Sequence, residues 1–280
     1  MNYNNIIPEI LKVLKKHEDQ LNSINVFPIA DKDTGTNLYK TLDVQIDADN
    51  FKDFIFQLSD KVLYSARGSS GNILALFLLG LKENYSEDIE IMCKKAAEFA
   101  WNTMYEPRQG TILTAMATVP HNYASYAPEH FIYDYYQNVL DCLMQGPDLL
   151  PILKECNTID SGTLGFAYIL QGFYTAIAGD DGFPFELEIT LPTDTTIKPE
   201  EKRYCVELLL EDGCADKLGF LKDYGDELII LETDDMTKLH IHTDDDFTVV
   251  KKVEEVSRIV RTKIDDMKSG EHWEVVHNLI

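Results

Sequence analysis

The sequence predicts a chain of two parts, an all-α bundle followed by a small α+β domain. Three observations carry this prediction. Apolar residues recur at helical spacing through residues 1–180, and no convincing strand alternation precedes about Phe185. A glycine- and aspartate-rich breaker then occupies 179–182, and strand-like alternation follows it. We therefore expect domains at 1–180 and 200–280, joined by a linker region at 181–199.

Helical spacing identifies the elements of the first domain. One face of the first predicted helix carries Ile6, Ile7, Ile10, Leu11 and Leu14. Loops that contain Gly, Pro, Asp or Asn separate the helical segments from one another. The other clear helical segments are 89–101, 131–144 and 164–177. Together these segments predict an all-α bundle.

The second domain is predicted to be a β-α-β-β-α unit. Tyr204, Val206 and Leu208 alternate with other residues, which is typical of a strand with one buried face. A unit of this kind is long enough to form a small α+β domain. The remaining predicted elements are a short helix at 215–224, strands at 227–231 and 238–243, and a helix at 247–263.

The net charge excludes two classes of partner. The 280 residues include 48 acidic and 25 basic side chains, which gives a net charge of −23. Such a chain repels the phosphates of duplex nucleic acid and an anionic membrane surface. A phosphate-bearing substrate is compatible with this charge if a bound divalent cation bridges the two.

We expect neither a membrane span nor a secretory leader in this sequence. The most apolar run, 73–79, is far shorter than the roughly 20 residues needed to cross a bilayer. The N-terminus lacks the basic region of a signal peptide. The five cysteines are scattered, odd in number and form no CxxC pair. These features predict a cytoplasmic protein without a disulfide framework.

An acidic loop near the N-terminus holds the densest chemistry in the sequence. Asp31 and Asp33 are two residues apart, a spacing at which two loop carboxylates can bind one hard cation. Gly35 allows a tight turn, and Thr36 and Asn37 can cap the helix that follows. A cation beside a helix N-terminus makes a site for a nucleotide phosphate. An aspartate-rich turn that only caps a helix is the alternative, and the spacing alone leaves it open.

Three further polar, glycine-bearing loops each precede a predicted helix. Backbone N–H groups and hydroxyls at helix N-termini bind phosphates. Four such loops at one end of a bundle would surround a phosphate chain, although any one alone is more often a helix cap. The three loops are 65–72, 107–114 and 159–165.

The motifs of these loops are, in chain order, Asn25-Val26-Phe27-Pro28, Asp31-Lys32-Asp33-Thr34-Gly35-Thr36-Asn37, Ala66-Arg67-Gly68-Ser69-Ser70-Gly71, Gly110-Thr111-Ile112-Leu113-Thr114 and Asp160-Ser161-Gly162. In this order and spacing they resemble the nucleotide-binding domain of bacterial fatty acid kinases, which is similar to the ADP-binding subunit of dihydroxyacetone kinases. The resemblance covers roughly residues 1–180. It continues at 203–207, 238–243 and 263–267, which look like the middle domain of the fatty acid kinase catalytic subunit.

The resemblance implies an eight-helix antiparallel barrel that holds Mg-ATP at its loop end. Asp31 and Asp33 would bind magnesium and serve catalysis, with Asn25 in the same cluster. A separate lipid-binding protein would present a fatty acid, whose carboxylate takes the γ-phosphoryl group to give an acyl phosphate. A carboxylate is already ionised at neutral pH, so no general base is needed. The implied nucleotide contacts are Thr36, Asn37, Ser69, Ser70, Gly71, Thr111 and Asp160. A homodimer is compatible with this assignment.

Three departures from the family pattern bear on activity. Lys32 replaces the glycine that usually separates the two aspartates, and its amine can reach a phosphate or compete with a metal. Gln109 occupies a position that is commonly Glu in the family. The family's catalytic subunit continues into a third domain that docks the lipid-binding protein. Because the sequence ends at Ile280, the resemblance implies a form without that domain.

A second candidate site combines one cysteine and two histidines. His240 and His242 are two apart on a predicted strand, so both lie on the same face. Cys205 alternates with the core residues of the first predicted strand, so it lies on the non-core face, as the two histidines do. In a ferredoxin-like order the first and third strands are neighbours, and one thiolate with two imidazoles suits zinc. His272 is a candidate fourth ligand, and the resemblance also implies a metal here. Two surface histidines and an unrelated cysteine are the alternative.

Three functions stay open. The leading one is an ATP-dependent kinase of fatty acids that acts with a lipid-binding partner. A dihydroxyacetone-type small-molecule kinase subunit is less favoured, because those subunits lack a second domain with Cys and His. The third is a nucleotide-binding regulatory protein without turnover. Two features favour it, Lys32 and the missing third domain.

Overall fold

The computed structural model describes residues 2–28, 31–121, 128–179, 202–233 and 235–277. The chain divides into two compact units, a helical one and a sheet-containing one. The predicted linker at 181–199 lies outside the described residues. No helix in the described ranges combines the length and apolarity needed to cross a membrane.

The helical unit confirms the predicted all-α class of the first domain. Its helices are α1 (Ile6–Ser23), α2 (Thr34–Leu42), α3 (Phe51–Ser65), α4 (Gly68–Glu83), α5 (Ile89–Thr103), α6 (Ile112–Met116), α7 (Pro128–Leu149), α8 (Pro151–Glu155) and α9 (Ser161–Ala178). The four segments predicted from helical spacing all lie within these helices. A closed eight-helix barrel stays a prediction, because the described residues form nine helices, two of them only five residues long.

The apolar helix α9 lies at the centre of this unit. It packs against α1, α2, α6 and α7, and nearly all of its first twelve residues are buried. Gly172 lets α1 approach closely, because a Cβ there would be 2.5 Å from the Cα of Ile10. Apolar and aromatic side chains of α9 and of the surrounding helices line a cavity of about 90 Å³, among them Phe77, Phe131 and Phe166.

The second unit is a five-stranded antiparallel sheet. Its strands are β1 (Tyr204–Glu211), β2 (Asp226–Glu232), β3 (Met236–Thr243), β4 (Ile259–Asp266) and β5 (His272–Val276), in the order β2-β3-β1-β4-β5. The helix α10 (Asp246–Glu254) supplies Val249 and Val253 to an apolar core that includes Val206 and Leu208 of β1. These core residues alternate with Cys205 and Glu207, so one face of β1 is apolar and the other polar.

The α+β class of the second domain is confirmed, but one of its predicted helices is not an α-helix and the other is predicted too long. The segment predicted as a helix at 215–224 forms two 3-10 turns, Ala215–Lys217 and Gly219–Asp223. The helix predicted to reach residue 263 ends at Glu254, and β4 follows it. Val256 and Val260 extend the helical spacing past that end, which misled the prediction. The β-branched residues Ile259, Val260 and Thr262 favour a strand, and pairing with β1 holds this segment in the sheet.

Candidate nucleotide and metal sites

The starts of four helices in the first unit come together, as the polar loops predicted. Ser161 at the start of α9 donates a hydrogen bond to Thr34 Oγ1 at the start of α2, over 3.0 Å. Its hydroxyl also donates to Asn25 Oδ1 over 3.5 Å, and Thr34 donates to the same oxygen over 2.6 Å. Asn25, Thr34 and Ser161 are all buried. One amide side chain therefore joins the acidic loop to two helix N-termini.

The starts of α4 and α6 meet the start of α9. A Cβ on Gly162 would lie 2.9 Å from Ser70 Oγ and 3.3 Å from the Cβ of Ile112. The Asp160 carboxylate accepts the backbone N–H of Ile112 and caps α9 by accepting from Thr163 N over 2.6 Å. Burial raises the pKa of Asp160 to about 6 despite these hydrogen bonds. Asp160 therefore joins the starts of α6 and α9. Its contact with a nucleotide stays a prediction.

The start of α4 also lies against α2. Gly68 adopts a positive φ of 60°, and a Cβ there would be 2.3 Å from Asn37 Nδ2. Gly71 packs on Thr41 in the same way, with 2.4 Å between such a Cβ and Thr41 Oγ1. The hydroxyl oxygen of Ser69 is buried, and it has no hydrogen-bond partner among the described residues. An orphaned hydroxyl at a helix N-terminus is free to donate to an anion.

The two aspartates of the acidic loop form a close pair. Asn25 Nδ2 donates to Asp31 Oδ1 over 2.5 Å, and the Asp33 carboxylate is within hydrogen-bonding reach of Asp31. Asp33 is also the N-cap residue of α2. Asp31 is exposed as a whole residue, but loss of water around its carboxylate and the charge of Asp33 raise the pKa of Asp31 to about 8. Two carboxylates this close need a compensating positive charge at neutral pH, which a proton or a cation can supply.

Two of the predicted nucleotide contacts are engaged elsewhere. The Thr36 hydroxyl donates to Glu18 Oε1 over 2.8 Å and accepts from Asn22 Nδ2 over 3.0 Å, which ties α2 to α1. The Thr111 hydroxyl donates to the carbonyl of Arg108 over 2.8 Å. A phosphate contact by either hydroxyl requires these bonds to be exchanged, so both contacts stay predictions.

Lys32 has a backbone conformation that explains why glycine is common at its position in the family. Its φ is 58°, in the left-handed region that L-residues with a Cβ seldom adopt. The side chain is exposed. The turn between Asp31 and Asp33 therefore needs a positive φ, which glycine adopts without strain and lysine adopts at a cost.

The second candidate site lies on the non-core face of the sheet. Strands β1 and β3 are neighbours, as predicted, and Cys205 is directly opposite His242. One potential ligand atom from each of Cys205, His240 and His242 lies within 4.8 Å of the other two, and all three residues are buried. Burial and the neighbouring His240 hold the pKa of His242 well below its ordinary value, so it is neutral and able to ligate at neutral pH.

The unsatisfied atoms of this cluster fit a metal. His240 Nε2 and His242 Nδ1 are buried, and neither has a hydrogen-bond partner in the described part of the chain. Buried polar atoms are normally satisfied, and a lone pair on each ring can bind a cation such as zinc. His272 is not part of the cluster: it is half-exposed and hydrogen-bonded to Asp265. The fourth ligand predicted at His272 is therefore not supported.

A buried group of charges, which the sequence analysis missed, adjoins the cluster. Glu207 Oε1 lies 3.4 Å from His240 Nδ1, and Glu207 Oε2 lies 3.4 Å from Lys263 Nζ. Burial acts to raise the pKa of Glu207, but Lys263, His240 and Lys238 hold it well below its ordinary value. Strand alternation could have identified Glu207 and Lys238, which share the phase of Cys205 and His240. Lys263 could not be found, because it was assigned to a helix.

Comparisons with known proteins agree with this division of the chain. The DAK2 domain family matches residues 28–175. A second family, the FakA-like middle domain of fatty acid kinases, matches residues 201–273. Both are kinase-related families. The first match covers the four helix starts, and the second covers the Cys205 cluster.

Staphylococcal proteins of unassigned function resemble nearly the whole chain. An uncharacterized protein of Staphylococcus epidermidis is 26% identical over 307 residues, and one of Staphylococcus saprophyticus is 27% identical over 301. An uncharacterized protein of Staphylococcus aureus is 27% identical over 310 residues. Each alignment covers 94% of this chain and 54% of the relative. The chain thus spans about half the length of these relatives.

Proposed function

Because the chain belongs to the DAK2 domain family, we propose that it is a fatty acid kinase component that transfers the γ-phosphoryl group of Mg-ATP to a fatty acid carboxylate. A lipid-binding partner protein presents that fatty acid. The observation that carries the proposal is the link from the starts of α2 and α9 to the Asp31–Asp33 pair through Thr34, Ser161 and Asn25. The starts of α4 and α6 pack against the start of α9 at Gly162. Helix N-termini attract phosphates, and paired carboxylates attract magnesium.

The side chains of this site serve binding and orientation. Asp31 and Asp33 would hold magnesium, which neutralises phosphate charge when it is bound. The orphaned hydroxyl of Ser69 and the N–H groups that begin α4 would donate to phosphate oxygens. Asn25 fixes Asp31 by its hydrogen bond, which limits the rearrangement needed on binding. This division of labour suits phosphoryl transfer, in which positioning and charge neutralisation supply most of the catalysis.

The second domain favours a fatty acid kinase over a dihydroxyacetone-type kinase. Its family match is to the FakA-like middle domain of fatty acid kinases. We propose that Cys205, His240 and His242 hold one zinc ion there, which would tie β1 to β3. Three buried ligands from two paired strands suit a metal that stabilises the fold, and no step of phosphoryl transfer needs it.

Acyl phosphate formation from labelled ATP and oleate tests the proposed reaction. We expect product when a lipid-loaded partner protein is present. Little product should form from free oleate alone, because the long apolar tail needs a groove and the net charge of −23 repels the carboxylate. Robust turnover with free oleate would contradict partner delivery. Turnover of dihydroxyacetone in its place would favour the small-molecule kinase.

A further inference from the structure

We propose that Glu207 is a positioning residue of the Cys205-His240-His242 cluster, and that it fixes the proton of His240 on Nδ1 so that Nε2 binds the metal. The inference rests on the proposed metal site. It concerns a residue outside the three ligands and states which atom of His240 acts as the ligand.

The pairing of the strands places Glu207 between a histidine and a lysine. In the sheet register, Glu207 is opposite His240 of β3 on one side and opposite Lys263 of β4 on the other. Its Oε1 is 3.4 Å from His240 Nδ1, and its Oε2 is 3.4 Å from Lys263 Nζ. Only 3% of the Glu207 side chain is exposed, and none of His240. The carboxylate thus meets His240 where little water competes for either group.

The two ring nitrogens of His240 have different surroundings. Nδ1 faces Glu207 Oε1 and also lies 3.7 Å from Cys205 Sγ. Nε2 is buried and has no hydrogen-bond partner within the described ranges. A neutral imidazole carries one N–H, and a buried N–H without an acceptor is costly. The proton therefore belongs on Nδ1, where the Glu207 carboxylate accepts it, and the lone pair of Nε2 is left for a cation.

A chain of ionic contacts holds the Glu207 carboxylate in this place. Lys263, which contacts Glu207, is also 2.5 Å from Asp265 Oδ2. Asp265 in turn pairs with His272 of the neighbouring strand. The contacts pass from the buried carboxylate outward to a half-exposed histidine. A carboxylate fixed at the second nitrogen of a ligating histidine orients the ring and increases its basicity toward the metal.

The protonated nitrogen can be read directly in the wild-type chain loaded with zinc. Two-bond ¹H–¹⁵N correlation spectra of the histidine rings, assigned with a His240→Gln variant, distinguish the two tautomers. We expect a protonated Nδ1 and a metal-bound Nε2 for His240. A zinc-bound Nδ1 would overturn the inference while leaving the metal site intact. Wild-type protein that binds no zinc would overturn the metal site, and this inference with it.

A conservative variant tests the energetic role of the carboxylate. Glu207→Gln should weaken zinc binding about 10- to 100-fold in a chelator competition, and should shift the visible absorption of the Co²⁺-substituted protein. The matched control is Glu211→Gln on the same strand, whose carboxylate is half-exposed and 3.6 Å from Arg258. It should leave both readouts unchanged. Equal affinity and spectra for a folded Glu207→Gln variant would contradict the proposal. If that variant does not fold, the ¹H–¹⁵N spectra of the zinc-loaded wild type still test which nitrogen of His240 is protonated.

Discussion

Ser161 and Thr34 are 127 positions apart in the sequence, yet their hydroxyls are joined by a buried hydrogen bond of 3.0 Å. This bond connects the start of α9 to the start of α2, and Asn25 extends it to Asp31. The carboxylate pair is therefore held by contacts that cross the helical unit. The geometry of the proposed magnesium site depends on these contacts as much as on the acidic loop.

The first prediction concerns this hydrogen bond. Ser161→Ala removes the donor to Thr34, and we expect a loss of about 1 kcal/mol in the free energy of unfolding, because a buried neutral hydrogen bond is lost. The affinity for Mg-ATP should fall as well, because Asn25 loses the hydrogen bond from Ser161 and positions Asp31 less firmly. Urea unfolding and calorimetry measure the two effects. Ser23→Ala, at an exposed hydroxyl bonded to a backbone carbonyl, is the control and should change neither.

The second prediction concerns the dependence of ATP binding on magnesium. Asp31 and Asp33 lie in a chain with a net charge of −23, which repels a polyanion unless a cation intervenes. We expect calorimetry to detect ATP binding with Mg²⁺ and none with EDTA. An Asp31→Asn/Asp33→Asn variant should not bind Mg-ATP, whereas Asp43→Asn, at the other end of α2, should bind normally. Equal affinity with and without EDTA would remove the metal role.

The sequence predicted the polar loops better than it predicted their detailed contacts. Glycine and hydroxyl residues before apolar helices identified the four helix starts, because capping chemistry is local. The partners of Thr36, by contrast, are Glu18 and Asn22 of another helix, and no local pattern reports them. Long-range pairing likewise determines the structure of β4 in the second domain. Its apolar residues continue the helical spacing of α10, yet the segment forms a strand because it pairs with β1. Strand phase did suffice for Cys205, His240 and His242, because each one lies on a regular strand.

The third prediction concerns the positive φ of Lys32. Lys32→Gly should leave the free energy of unfolding within about 0.5 kcal/mol of the wild type, because relief of left-handed strain offsets the greater freedom of glycine in the unfolded chain. Lys32→Val should destabilise the protein, since a β-branched residue tolerates φ near 58° poorly. The control is Lys40→Gly in the helical backbone of α2, expected to cost about 1 kcal/mol. Equal costs at the two positions would contradict the strain argument.

The fourth prediction concerns zinc. Protein purified without a His-tag or a chelator should carry about one zinc ion per chain by elemental analysis. Cys205→Ser should lose the metal and unfold at a lower temperature, because the ion joins two strands. Cys214→Ser is the matched control, since this buried cysteine belongs to the apolar core and not to the cluster. It should keep its zinc. Metal-free wild-type protein with the melting temperature of the Cys205→Ser variant would refute the site.

The fifth prediction concerns acid stability and depends on the Arg203–Asp266 pair. Arg203 donates to Asp266 Oδ2 from Nε over 3.0 Å and from Nη2 over 2.9 Å. The backbone N–H groups of Lys268 and Ser269 also donate to this carboxylate. The hydrogen bonds with Arg203 make the largest contribution, and together these groups lower the pKa of Asp266 to about 2.

The folded-state pKa of Asp266 is below the value of about 3.9 that is usual for an unfolded chain. The unfolded state therefore binds the proton more readily, so the pair stabilises the fold above pH 4 and loses this contribution as the pH falls from about 4 to about 2. The difference in the free energy of unfolding between wild type and Asp266→Asn should thus be largest at neutral pH and shrink across this window. Urea unfolding at a series of pH values measures it, and taking the difference cancels the effects of the other carboxylates and of metal release. The control is the exposed Asp216→Asn, which should give a much smaller difference than Asp266→Asn at neutral pH. A constant difference for Asp266→Asn from pH 7 to pH 2 would show that the pair does not carry the pH dependence assigned to it.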